Sequence, residues 1–443
     1  MLQAVPTISP PAPIGEATTG EVPHPISDWV EFMELAVTQG PLFSFTVAGR
    51  PWVWVNDPEL AIAILKLPFD KIGVGPLIEG FEQAGGIGNA LTANYDSTWR
   101  PRRVLLQRPL SYRNVRGFGD IFARQVGAKL ALWDDGDTID AQAEMSELTL
   151  AILAETMFSG DLSTAIETIH RFDAARNEAF TRRAVDPTWT PDADPAFQAA
   201  LDDLDAFIFG MIAARQVEPE PKDILGMLVH AVDREEARLD DRAVRDESVG
   251  LIYAGHTTTA NTLTFALAML ALNPEVGREL RAQVVDAVGE RMPTTAELDE
   301  KVPLAREVIE ETMRLYPVGD VIDRRARVDL ELGDYFIPAR TGLVFSAWLP
   351  QHDARYWADP ERFDPSRFSA SRRREIPPHA YFPFSDGPKV CLGNHLSLIE
   401  ASFAIAAIAR RFDLELVHPG PPPITHDFLL QPKEPILAIL HAS

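Results

Sequence analysis

The chain has 443 residues, 46% of them hydrophobic, a formal net charge of -24 and a single cysteine. That apolar share supports a sizeable core and excludes general disorder. The negative charge argues against a nucleic acid or an anionic membrane as a general partner, because a phosphate surface would repel it.

Residues 1–25 read as an extended arm, with prolines at 6, 10, 11 and 13 and no basic residue among the first fifteen, which suits neither a signal peptide nor a membrane anchor. Leu42–Val47 and Trp52–Val55, parted by Gly49 and Pro51, predict a hairpin. Asn56-Asp57-Pro58 then caps a helix running to Leu65. Ile72 to Tyr95 is Gly-rich without a period, a long loop of the kind that walls a binding site. Helical patterns follow from about 97 to 315, broken by the Pro/Asp segment Val185–Pro195. Strand signals return at Leu330–Leu332, Tyr335–Pro338 and Leu429–Leu440. No linker or low-complexity run divides the chain, so a single domain over 26–443 is expected, mainly α or α-dominated α+β. The best apolar run, Leu263–Leu272, is too short to span a bilayer, and a lone cysteine suits a reducing compartment, so a cytoplasmic protein is expected.

Three stretches carry chemistry. Cys391 lies between Gly387-Pro388 and Gly393 on a tight turn, ahead of a helix predicted from Asn394, where unpaired N–H groups favour an anion; it reads as a metal ligand or a nucleophile. Asp246–Leu272 predicts a long buried helix interrupted at Ala254-Gly255-His256-Thr257-Thr258-Thr259, where Gly and Thr weaken the helix and a hydroxyl can bond back one turn. Glu311 and Arg314 share one face of a helix predicted over Glu307–Leu315.

Phe384 to Gly393 resembles the haem-binding loop of the cytochrome P-450 superfamily, F-x-x-G-x-[R/H]-x-C-x-G, at every fixed position except Lys389. Ala254 to Thr259 resembles that family's oxygen-binding motif, [A/G]-G-x-[D/E]-T-[T/S], with Thr257 in place of the acid. Glu311-x-x-Arg314 resembles its E-x-x-R; the third basic partner is assigned to Arg367, although Arg362 in Pro360-Glu361-Arg362-Phe363 is the more literal match. The resemblance implies a helix-rich fold with haem b between the Thr258 helix and the Cys391 loop, and iron held by the Cys391 thiolate, which pushes electron density onto the metal and favours O–O cleavage. It implies close approach at Ala254 and Gly255, and a Thr258 hydroxyl that holds dioxygen and passes protons. Phe384 and Gly393 frame the loop. Trp99, Arg103 and Arg324 are nominated for the propionates, with a weaker contact from Lys389, a point charge where the family has a fork or an imidazole.

The activity implied by the resemblance is that of a monooxygenase acting on a lipophilic small molecule, with NAD(P)H electrons delivered by a separate ferredoxin and its reductase or a flavodoxin-type donor. Arg100, Arg102 and Arg108 form a candidate docking patch for an acidic donor. The apolar pocket is expected from Ile72–Tyr95, the region around 170–215, Leu251, Ala254, Val318–Ile322 with the acid Asp320, and Phe428–Leu429. Two alternatives stand beside this expectation: a peroxide-using or otherwise non-standard haem-thiolate enzyme, because Thr257 cannot relay a proton as an acid does, and a non-enzymatic haem sensor.

Overall fold

The computed structural model describes residues 38–47, 50–76, 90–159, 162–185, 194–219, 221–232, 238–427 and 429–443, with isolated positions at 2–3, 33, 36, 79 and 190. The Pro-rich arm therefore lies outside the described residues except for its first strand, as do much of the 72–95 loop, most of Val185–Pro195, and Phe428.

In chain order the elements are β1 (Leu2–Gln3), β2 (Leu42–Val47), β3 (Arg50–Val55), α1 (Pro58–Leu65), β4 (Ile72–Val74), α2 (Trp99–Gln107), α3 (Tyr112–Arg116), α4 (Gly119–Leu130), β5 (Thr138–Asp140), α5 (Ala141–Phe158), α6 (Leu162–Val185), α7 (Pro195–Gln216), α8 (Ile224–Val229), α9 (Asp241–Leu272), α10 (Pro274–Val288), α11 (Thr295–Lys301) and α12 (Pro303–Leu315). Then come β6 (Val321–Ala326), β7 (Leu330–Leu332), β8 (Tyr335–Ile337), β9 (Gly342–Ser346), α13 (Trp348–Gln351), α14 (Asn394–Arg411), β10 (Phe412–Leu416), β11 (Ile424–Asp427), β12 (Leu429–Pro432) and β13 (Leu437–Ala442). Caps explain several starts. Asp57, Asp140, Asp194 and Asp240 each accept backbone N–H bonds ahead of α1, α5, α7 and α9, and prolines open α1, α7, α10 and α12.

The centre is α9, whose stretch from Thr259 to Leu270 is buried on every face. It packs on α5, α7, α12 and α14. An all-round buried helix of this length is the expected spine of a large helical body. The predicted interruption is corrected: α9 runs unbroken from Asp241 to Leu272, with an earlier start set by Asp240. The Thr back-bonds do form, from Thr258 to the Ala254 carbonyl (2.8 Å), Thr259 to Gly255 (3.1 Å) and Thr262 to Thr258 (2.9 Å). Each hydroxyl finds its acceptor one turn back without breaking the ladder.

Six strands run in the order β1-β2-β3-β9-β6-β4, with β2 and β3 an antiparallel hairpin (Phe43 opposite Trp54) and β3 parallel to β9 (Trp52 opposite Gly342). A second sheet has the order β10-β13-β5, while β11 with β12 and β7 with β8 form two-stranded pairs. The single strand read over Leu429–Leu440 is thus two strands in different sheets. Among the described residues no helix is long and apolar enough to cross a membrane.

Candidate active site

Between α9, α5 and the segment from Pro383 to Ser397 lies a cavity of about 360 Å³. This is within the range of small-molecule and cofactor pockets. Its floor is the turn that carries Cys391. The Cys391 N–H donates to the Phe384 carbonyl (2.9 Å), closing the loop on itself. Gly387 holds φ +72°, and a Cβ there would stand 2.3 Å from the Leu65 carbonyl oxygen at the end of α1, so only glycine lets the loop rest on that helix. α14 begins three residues beyond the cysteine. Cys391 is exposed, but its exposed face opens into the cavity. Left to its protein surroundings the thiol is pushed up by burial, against the N–H groups of Gly393 and Asn394 and the nearby Arg103, each of which favours the thiolate.

Across from the sulfur, α9 presents Ala254, Gly255, Thr258, Thr259 and Thr262 to the cavity. Ala254 is exposed there and leaves space. Gly255 has a second reason to be glycine: a Cβ would meet Leu153 of α5 at 3.0 Å, so its absence sets the approach of the two helices. Thr257 is not among the lining residues; its hydroxyl faces His256.

The end of the cavity near α2 is an aromatic and cationic cluster. Arg103 lines the cavity and donates to the Val390 carbonyl (2.7 Å). Lys389 also lines it, but its Nζ donates to the carbonyls of Leu91 (2.7 Å), Thr92 (3.2 Å) and Asn94 (2.5 Å) and stands over the rings of Tyr95 (3.9 Å) and Trp99 (5.4 Å). The ammonium expected to face a carboxylate instead staples the loop after residue 90 to the Cys391 turn. Arg324 donates to the Asp323 carbonyl (2.7 Å) and lies 6.0 Å over the Tyr95 ring. Trp99 and Arg324 are buried, and Trp99 Nε1 and Arg324 Nε have no hydrogen-bond partner among the described residues. Orphaned buried donors of this kind need an acceptor.

Beneath the loop, Arg314 forks onto Glu311 (2.7 and 2.8 Å), both fully buried, and Arg367 Nε stands 3.4 Å from the same carboxylate. The Asp364 N–H also donates to it (2.9 Å). Arg362 is exposed and offers its carbonyl to Arg314 (3.2 Å), so of the two candidates only Arg367 brings a guanidinium to Glu311.

The walls are apolar: Leu91, Leu110, Leu153, Met157, Ile224, Leu251, Val318 and Leu396 among them. Among the described residues the 170–215 region contributes no lining residue; α8 does, through Ile224. Asp320 is fully buried away from the cavity, where His426 Nε2 lies 2.9 Å from it and Ser346 donates to it (3.4 Å), because an acid beside an apolar wall is held by its own partners. Among the ionisable lining residues, one escapes the sequence reading. Glu247, on α9 near its start, is 4% exposed, accepts the Leu91 N–H (3.0 Å) and lies 3.6 Å from Arg102. Burial pushes its carboxyl up to about 7, against Leu91, Arg102 and Lys389. Only its position eleven residues before Thr258, on the same helix, hints at it. Arg102 is thereby drawn inward, while Arg100 and Arg108 remain exposed.

The donor set fits an iron porphyrin: one soft sulfur on the cavity floor, unpartnered N–H donors suited to carboxylates, and open space where a Cβ of Gly393 would stand. A helix-rich body enclosing such a cavity defines the class of haem proteins. The chain belongs to the cytochrome P-450 family, whose model matches residues 24–439. It is 29% identical over 429 residues to cyclooctat-9-en-7-ol 5-monooxygenase of Streptomyces melanosporofaciens, covering 91% of each. It is 28% identical over 400 residues to cyclooctatin synthase of the same organism, covering 88% of this chain and 86% of that one. Among solved structures the haem domain of cytochrome P-450DA matches with a TM-score of 0.83 at 22% identity, over 93% of this chain and 92% of that one. The protein is a haem-dependent P-450 monooxygenase.

Proposed function

We propose that the enzyme inserts one oxygen atom of dioxygen into a lipophilic small molecule, by C–H hydroxylation or epoxidation, with electrons from a separate ferredoxin and its NAD(P)H-dependent reductase. The observation that carries this is one cavity shared by Cys391 on its floor, Ala254 and Thr258 opposite, and an apolar wall around both. Cys391 would hold the iron, with Trp99, Arg103 and Arg324 serving the propionates. Haem bound through a thiolate supplies the activation of dioxygen. The chain's own part is to exclude water with Leu91, Leu153, Leu251 and Val318, to leave room at Ala254, and to hold a proton at the Thr258 hydroxyl, which now rests on the Ala254 carbonyl. Cyclooctat-9-en-7-ol, from which one relative takes its name, is an unsaturated cyclic alcohol. A molecule of that character suits an apolar cavity whose polar groups, apart from Arg103, Lys389 and Cys391 at the end expected to hold the haem, are a few hydroxyls and one buried carboxyl.

A second reading, turnover driven by peroxide, is favoured by Thr257 standing where the family has an acid. A panel of cyclic alcohols, steroids and fatty acids, screened by Soret shift and then turned over, separates the two. We expect product with NADPH, ferredoxin and reductase, and none from Cys391→Ser. Product with hydrogen peroxide and none with NADPH, ferredoxin and reductase overturns the proposal.

A further inference from the structure

The stretch of cavity wall formed by Ala90, Leu91 and Thr92 belongs to no helix or strand, yet it is gripped from two sides. The N–H groups of Ala93 and Asn94 both donate to the Ala90 carbonyl (3.1 and 3.2 Å), which winds the segment into a single turn. Such a turn leaves its later carbonyls at its end without N–H partners of their own, the place where a helix accepts a cation. The carbonyls of Leu91, Thr92 and Asn94 converge there on Lys389 Nζ (2.7, 3.2 and 2.5 Å). An ammonium has three N–H donors, and these three carbonyls meet them. The rings of Phe69, Tyr95 and Trp99 face the same nitrogen at 5.6, 3.9 and 5.4 Å, a setting that favours a cation. The turn also rests on α9. Glu247 and Gly250, three residues apart and so on one helix face, both meet it. Glu247 Oε2 accepts the Leu91 N–H (3.0 Å), while its other oxygen lies 3.6 Å from Arg102. The Ala90 Cβ lies 3.4 Å from where a Cβ of Gly250 would stand, so the turn is seated against the helix. Leu91 is thus held by both of its backbone polar groups, the N–H to α9 and the carbonyl to the turn that carries Cys391.

We propose that Glu247 and Lys389 are positioning residues for the substrate: gripping Leu91 from opposite sides, they fix the wall that Ala90, Leu91 and Thr92 turn to the cavity, and Lys389 serves this wall in place of a propionate. The inference rests on the haem-bound cavity being the substrate chamber of the function proposed above. Its consequence is discrimination by reach. A ligand that extends to the wall finds it already ordered and does not bear the entropy of shaping it, whereas a ligand confined to the iron is indifferent. Arginine is no substitute for Lys389, because a flat fork cannot converge on three carbonyls of one turn as a compact ammonium does.

The test uses holoprotein and two iron ligands followed by Soret shift: imidazole, which needs only the metal, and 4-phenylimidazole, whose second ring extends into the chamber. In Lys389→Met the Kd of 4-phenylimidazole is expected to rise about tenfold, with haem content and the imidazole Kd within about twofold of wild type. Lys389→Arg is expected to behave like Lys389→Met, whereas a propionate would be served at least as well by the fork. Glu247→Leu is expected to give the same selective loss, and Glu247→Gln, which keeps an acceptor for the Leu91 N–H, to match wild type. Combining Lys389→Met with Glu247→Leu is expected to cost little more than either alone, since both release one residue. Loss of haem from Lys389→Met, wild-type constants in Lys389→Arg, equal changes for both ligands, additive losses, or no change for either ligand overturns the proposal. A wild type whose Soret band ignores both ligands speaks instead against an iron site open to small molecules. Amide exchange of residues 90–94, expected to quicken several-fold in Lys389→Met and Glu247→Leu but not in Glu247→Gln, then decides the wall by itself, and unchanged exchange in the first two overturns it.

Discussion

Glu247 is the group in the cavity whose charge is most sensitive to pH near neutrality. Its carboxyl is raised from 4.5 to about 7 in the folded protein. A raised carboxyl favours folding while it is protonated, so that contribution is whole below about pH 4.5 and is lost as pH rises through about 7. Glu247→Gln keeps an acceptor for the Leu91 N–H and removes the titration. We expect the variant to gain Tm over wild type progressively between pH 5 and pH 8, by up to about 3 kcal/mol in stability. A constant difference across that range would show that the carboxyl does not titrate there. At this scale the sequence is legible where chemistry is local. The turn of Phe384 to Gly393 and the Ala254 to Thr259 turn declare themselves within ten residues. Glu247 is not legible, because it matters through a residue more than 80 positions away, Leu91, whose N–H it accepts.

At the scale of elements, two glycines of one loop do different work. Gly387 faces the end of α1, where a Cβ would overlap the Leu65 carbonyl, and its positive φ adds about 1–3 kcal/mol of strain for any other residue. Gly393 has no atom of the described residues within 4 Å of its would-be Cβ. Gly387→Ala should therefore lower both thermal stability and haem content. Gly393→Ala should leave the haem-free fold intact in circular dichroism and reduce haem content alone; a matching loss of fold in both variants would refute the division. The elements themselves are readable where capping and period agree, as in α1 behind Asp57 and the β2–β3 hairpin. Short buried strands such as β9, buried at every position, show no alternation and carry no such signal.

Over the whole molecule the charge of -24 would oppose the acidic electron donor proposed above at long range, so its docking would depend on a local exception. Arg100 and Arg108 are exposed on and just beyond α2, the helix whose Arg103 touches the Cys391 loop through Val390. Replacing both by Glu is expected to slow reduction by an acidic ferredoxin about tenfold at low salt, with the difference shrinking as ionic strength rises. Unchanged reduction rates at low salt would place the donor on another face. The overall architecture is legible as a helix-rich body with scattered strands, since the helical stretch from 97 to 315 dominates the chain. The order of the six-stranded sheet is not, because it joins strands from opposite ends of the sequence.

That sheet has a consequence for biosynthesis. β3 lies between β2 and β9, and its partner on the β9 side is made roughly 290 residues later, about 15–60 s at ordinary translation rates. Until then Trp52, Val53 and Trp54 present an apolar strand with one unpaired edge to the crowded ribosome exit. An edge of this kind is a template for mispairing until β9 emerges, so the nascent hairpin needs shielding through most of synthesis.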